Sequence, residues 1–237
     1  MPRRPYTLLS CAVSVDGCLD DGSAGRLIMS GPEDLDEVDE LRAAADAILV
    51  GAGTIRADNP RLLIRDPARV ARRQARGLPP HPLRVTLTAT GDLDPQARFF
   101  TGPGTPLVYC ASSVVPAASG KIGGSGTVID AGDPLSLRAV LSDLHSERSV
   151  ATVLVEGGAQ VLRDALADDL ADELRLAVAP FFVGDPAAPR FALSASYPHT
   201  AVKPMTLVSA RRLADTAVLH YRLSTHPRPA DLPAYNP

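Results

Sequence analysis

Short unbroken apolar runs punctuate this chain, and most are too brief for helices. Such runs occupy residues 6–13, 47–50, 83–88, 106–110, 127–130 and 151–155, followed by 173–179, 205–213 and 217–223. Runs such as AILV at 47–50 and TVLV at 152–155 lack the polar alternation of a half-exposed strand. They read as strands covered on both faces, the pattern of a parallel sheet between helical layers.

Helical spacing fills the gaps. Over residues 33–46, Leu35, Val38, Leu41 and Ala45 recur every three or four positions. Ser30-Gly31-Pro32-Glu33 in front of them fits a capping box, with Ser30 as N-cap and Glu33 reaching back. A second helix is expected after Asp133-Pro134, with Leu137, Val140, Leu141 and Leu144 on one face. A third is expected after Gly157-Gly158, with Val161, Leu162, Ala165 and Leu166. The last two strands are joined through Asp215-Thr216, a link too short for a parallel crossover, which predicts an antiparallel hairpin. The expected fold is α/β: one domain over residues 1–224, with a mixed, mostly parallel central sheet, flanking helices and an antiparallel C-terminal hairpin. Residues 225–237, rich in proline, are expected to be a disordered tail.

Composition narrows the function. Hydrophobic residues make up 45% of the 237, enough for a packed core. The net charge of −3 and the absence of Trp leave no basic field or aromatic platform for nucleic acid. Cys11, Cys18 and Cys110 form no CxxC pair, and the five histidines show no metal spacing, so neither a disulfide framework nor a metal site is expected. No signal peptide or membrane span is read, which suggests a soluble cytoplasmic protein.

Chemistry concentrates at strand ends. Gly51-Ala52-Gly53-Thr54 follows AILV, and Glu156-Gly157-Gly158 follows TVLV. Glycines where a strand meets a helix let a backbone approach a diphosphate at unpaired helix N–H groups; the alternative is a tight turn with no ligand. Glu156 reads either as a carboxylate facing a sugar or polar ring, or as a charge favoured by the helix dipole. Asp58 sits in DNPRL, where Asn-Pro marks a turn. With Arg42 and Arg65 it could recognise a polar, phosphorylated substrate. Ser14 and Asp16 belong to SVDG, which also reads as a plain Asp-Gly turn. Ser112, after LVYC, could bond a phosphate. The run Arg69, Arg72, Arg73 and Arg76 reads as a solvated helix face or a phosphate contact, and 120–126 as a surface loop.

Taken in order, AVSVDG, AILVGAGTIRADNPRLLIR, VLVEGGAQVL and LADELRLAVAPFFVG resemble the riboflavin-biosynthesis pyrimidine reductases over roughly residues 5–224. That resemblance implies a dihydrofolate reductase-like fold, usually as a homodimer. It implies an NADPH-dependent reduction of a ribosylaminopyrimidinone 5′-phosphate to its ribitylamino product. It makes Gly51, Thr54, Ser112, Gly157 and Gly158 cofactor candidates. Ser14, Asp16, Arg42 and Arg65 become substrate candidates, and Asp58 and Glu156 catalytic ones. The chain departs from the pattern at Cys18, where many relatives have lysine, and in lacking a tryptophan near Ile28. With no zinc deaminase domain ahead of the reductase blocks, it reads as a stand-alone enzyme. The alternatives are a related reductase of another pterin-like or pyrimidine substrate, and an NADPH-binding protein that has lost catalysis.

Overall fold

The computed structural model describes residues 4–22 and 27–235. Among them nine strands form one sheet: β1 (Tyr6–Val13), β2 (Ala47–Gly51), β3 (Leu83–Thr88), β4 (Leu107–Cys110), β5 (Thr127–Asp130), β6 (Thr152–Gly157), β7 (Glu173–Val178), β8 (Thr206–Leu213) and β9 (Thr216–Arg222). Their spatial order is β5-β4-β3-β2-β6-β1-β7-β9-β8. The first seven in that order are parallel, while β9 runs antiparallel to both β7 and β8. All nine expected strands are present, and so is the antiparallel hairpin.

The unbroken apolar runs have a direct cause. Leu9, Leu49 and Val155 face one core, while Leu8, Ile48 and Leu154 face a second on the other side of the sheet. Each successive side chain on a central strand is therefore buried. Six helices supply the cover: α1 (Pro32–Ala44), α2 (Ala52–Asp58), α3 (Pro67–Ala75), α4 (Val115–Ile122), α5 (Leu137–Ser146) and α6 (Ala159–Ala167). The predicted apolar faces of α5 and α6 close the first core, and Leu41, Ile55 and Ile122 contribute to the second.

Four expectations are corrected. Helix α1 takes Gly31 as its N-cap, with no side-chain cap, so the Ser30–Glu33 capping box does not form; Pro32 at the first helical position places the cap one residue later. The buried residues of α1 include Asp34 and Asp39, which no hydrophobic pattern reveals. Asp34 pairs with the buried Arg175, and Asp39 accepts from the backbone N–H groups of Arg65 and Asp66. The loop expected at 120–126 begins inside α4. Finally, the described part of the tail, to Tyr235, is packed. Leu232 is 4% exposed in the second core, and Arg228 donates to the buried Glu173 at 3.0 Å. Residues 236–237 lie outside the described ones.

Candidate functional site

The chain reverses its direction of travel across the sheet when β6 inserts between β2 and β1. The carboxyl ends of strands beside such a reversal are where open α/β sheets bind ligands. Two junctions meet there. Leu49 lies opposite Val155, but Val50 lies opposite Gly157. Glu156 is therefore the extra residue of a β-bulge, a feature that re-aims a side chain next to many active sites. Its carboxylate receives a two-pronged bond from Arg42, Nε to Oε1 and Nη2 to Oε2, both at 2.6 Å. A third Arg42 N–H reaches the Leu63 carbonyl. Burial depresses the Arg42 pKa, and the Glu156 carboxylate more than offsets it, holding the guanidinium charged. Arg42 and Glu156, named as separate substrate and catalytic candidates, thus act as one fork.

The glycines of the two junctions touch. A Cβ added to Gly51 would lie 3.5 Å from the Gly158 backbone nitrogen. One added to Gly158 would lie 3.0 Å from Thr54 Oγ1, a tight contact at which the threonine side chain would have to give way. Gly157 has φ +128°, a conformation that L side chains rarely adopt, and the Gly157–Gly158 peptide is cis. Gly158 is the N-cap of α6 and supplies no side-chain cap to its first turn. Gly51, Thr54, Gly157 and Gly158 are therefore gathered into one backbone-lined cradle of the kind an anionic linker can enter.

Beside this floor stands a wall. Leu9 is level with both Val155 and Leu174, so β1 and β7 run about two residues, or roughly 7 Å, past Gly157. The turn after β1 caps that wall. The Ser14 hydroxyl donates to Asp16 at 2.6 Å and accepts from the Cys18 N–H. Asp16 in turn accepts from the N–H groups of Val183 and Gly184, at 3.1 and 2.8 Å. The Ser14 bond and these backbone donors hold its carboxyl well below the usual range. Ser14 and Asp16 are thus the rivets between two rim loops.

The remaining candidates lie farther out. Asp58 is half-buried at the far end of α2, about 9 Å of helix rise from Ala52. Asn59 behind it ends the helix in the left-handed region. Arg65 packs along α1, donating to the Leu35 carbonyl and lying 3.5 Å from Asp39. Ser112 stands at the end of β4, two strands beyond β2, where its hydroxyl donates to Asp130 at 2.7 Å. The arginine run of α3 faces the acidic side of α1. Arg69 bonds Asp36, Asp39 and Glu40, Arg72 bonds Glu40, and buried Arg73 donates to the Ala43 and Ala45 carbonyls. These are interhelical contacts rather than a solvated face. A separate cavity of about 170 Å³ lies between α1, the β7–β9–β8 edge and the tail. Its charged lining is largely self-paired, Arg211 with Glu37 and Arg175 with Glu37, so it reads as a structural junction.

Sequence reasoning missed the bulge and the Arg42–Glu156 fork. Their partners are 114 residues apart, and no local signal joins them. Among the described residues no group of His, Cys, Asp and Glu could hold a metal ion, and no helix is long and apolar enough to cross a membrane.

The RibD C-terminal domain family matches residues 5–219. The 2,5-diamino-6-ribosylamino-4(3H)-pyrimidinone 5′-phosphate reductase of Archaeoglobus fulgidus is 34% identical over 182 residues, covering 76% of this chain and 83% of its own. The protein of the same name from Methanothermobacter thermautotrophicus is 30% identical, covering 76% and 80%. Among solved structures, a pyrimidine reductase-like protein from Corynebacterium diphtheriae superposes with a TM-score of 0.77 at 22% identity, covering 92% of this chain and 91% of that one.

Proposed function

This chain belongs to the RibD C-terminal domain family, whose relatives are named as reductases, and from that premise we propose the reaction it carries out. It uses NADPH to reduce a ribosylaminopyrimidinone 5′-phosphate to the ribitylamino product, a step of riboflavin biosynthesis. The observation that carries this reading is the bulged Glu156 beside the Gly51–Gly157–Gly158 cradle, at the point where the sheet reverses direction.

The cradle fits a dinucleotide because a side chain at Gly158 would fill it. Gly51, Thr54, Gly157 and Gly158 would hold the diphosphate, and Ser112, farther along the same strand ends, the adenosine end. When bound, the nicotinamide supplies the hydride, and the protein's task is orientation and electrostatics. Arg42 grips both Glu156 oxygens, so the carboxylate can orient a polar hydroxyl or ring N–H without swinging. In the ring-opened substrate C1′ is an imine carbon, and protonation of its nitrogen makes that carbon a better hydride acceptor. Asp58 is the proposed source of that proton, directly or through water. Arg65 is the proposed contact for the substrate phosphate, and the Ser14–Asp16 turn shapes the rim. The enzyme is proposed to act in the cytoplasm as a homodimer; exposed Leu207 and Val208 on the edge strand β8 support an apolar self-contact.

The test is the fall in NADPH absorbance when the purified chain meets the ribosylaminopyrimidinone phosphate, offered in aminated and deaminated forms. Turnover of either form is expected, and the preferred one places the enzyme before or after deamination. Tight NADPH binding without turnover of either form would contradict the reaction, leaving a different substrate or a lost activity.

A further inference from the structure

The rim loop after β7 carries an apolar side chain that packing does not explain. Phe182 is 72% exposed, and Val15 on the facing turn is 51% exposed. Burying such a ring is the ordinary outcome, so exposure on a loose loop would mean little. This loop is not loose. The Val15 N–H donates to the Phe181 carbonyl at 2.8 Å, and Asp16 takes the N–H groups of Val183 and Gly184. The Arg190 guanidinium donates to the Asp16 carbonyl, and the Leu19 and Phe191 N–H groups cross between the same two segments. Every backbone tie between SVDG and the 181–191 loop holds Phe182 in place while leaving its side chain uncovered.

We propose that Phe182 is a specificity-determining residue whose ring forms a stacking wall for the planar pyrimidinone of the substrate. Its place in the sheet selects this ring over the nicotinamide. The dinucleotide cradle lies at β2 and β6, whereas Phe182 follows β7, two strands or about 10 Å to the other side of β6. Its loop leaves β7 at the top of the β1–β7 wall, on the same carboxyl side of the sheet as Glu156. A heterocycle held between them would expose its polar edge to Glu156 and its face to the phenyl ring. Aromatic faces bind planar heterocycles with little demand on their substituents, so polar groups at the floor set the orientation. On this account the Ser14–Asp16 turn is a positioning device: it touches the ring-binding loop and no ligand.

The proposal rests on the pyrimidine reductase reading of the site, and the experiment separates the two. Phe182→Ala, Phe182→Leu and Phe182→Tyr are assayed for substrate KM, for NADPH affinity, and for the inhibition constant of ribose 5-phosphate, which lacks the base. Phe182→Ala is expected to raise the substrate KM about ten-fold. Phe182→Leu should fall between, and Phe182→Tyr should restore the wild-type value. NADPH affinity and ribose 5-phosphate inhibition should stay at wild-type values. An unchanged KM in Phe182→Ala, with an active wild type, overturns the proposal alone. So does a loss of NADPH affinity, which would assign the ring to the nicotinamide, or a parallel loss of ribose 5-phosphate inhibition, which would mean a collapsed loop. A wild type without turnover overturns the reading of the site and the proposal with it.

Discussion

The two ends of β7 are built on opposite principles. Its carboxyl end faces the strand ends where Gly51, Gly157 and Gly158 omit side chains, the Arg42–Glu156 fork brings charge, and Asp16 ties the rim loops. Its amino end is crowded with charged side chains. Glu173, 0% exposed, accepts from Tyr6 at 2.9 Å and from Arg228 at 3.0 Å. Neighbouring Asp172 accepts from Arg4, Ser224 and the Thr7 N–H. The first end omits side chains where two strand–helix junctions pack closely together. The second closes a space with ion pairs that strap the tail across the sheet. A ligand cleft and a structural clamp can thus share one strand, and a count of charged residues would choose the wrong end for function.

Breaking the clamp should have the largest effect on stability and none on chemistry. Glu173→Gln removes the buried charge opposite Arg228 and should lower unfolding free energy by about 3 kcal/mol in urea titration. The rate per folded molecule should remain at the wild-type value; a protein of unaltered stability would show that the tail is not clamped by charge. The same group sets an acid limit. Burial pushes the Glu173 pKa up, but His220 and Arg228 hold it below the ordinary glutamate value in the fold. Its stabilising contribution is therefore present above the unfolded pKa, about 4.3, and lost as pH falls through the lower folded one. Thermal melts of wild type should weaken with acid in that window more steeply than those of Glu173→Gln. Equal slopes would remove Glu173 from the acid response. At the other extreme, Arg76 and Asp231 form an exposed pair at 2.6 Å between α3 and the tail. Arg76→Ala should change stability by no more than about 0.5 kcal/mol, and a larger loss would mean that the tail depends on its surface contacts.

These contrasts also explain how much could be read in advance. The strands were legible because a chain buried on both faces must be apolar at every position, as in AILV and TVLV. The α5 and α6 faces were legible for the same reason at helical period. The buried side of α1 was not, because Asp34 and Asp39 occupy it by virtue of partners far away in the chain. Prolines in the tail suggested disorder, yet Leu232 and Arg228 were enough to anchor it. At the site, the glycine junctions and Glu156 stood out as residues, since they follow the strands directly. What could not be read was their relation: the bulge that turns Glu156, the Arg42 that grips it, and the 3.0 Å approach of Thr54 that crowds any side chain at Gly158. The SVDG block was visible too, but its bonds to Val183 and Gly184 show it joining loops.

The central claim is that the open backbone at the β2 and β6 strand ends holds the dinucleotide. The most direct measurement is calorimetric titration of NADPH into wild type and Gly158→Val, with urea melts confirming that both are folded. The account expects the variant to bind roughly 100-fold more weakly, a loss of about 2.8 kcal/mol, because its side chain occupies the space beside Thr54. Wild-type affinity in a folded Gly158→Val protein would contradict it, and would move the cofactor away from the glycine cradle.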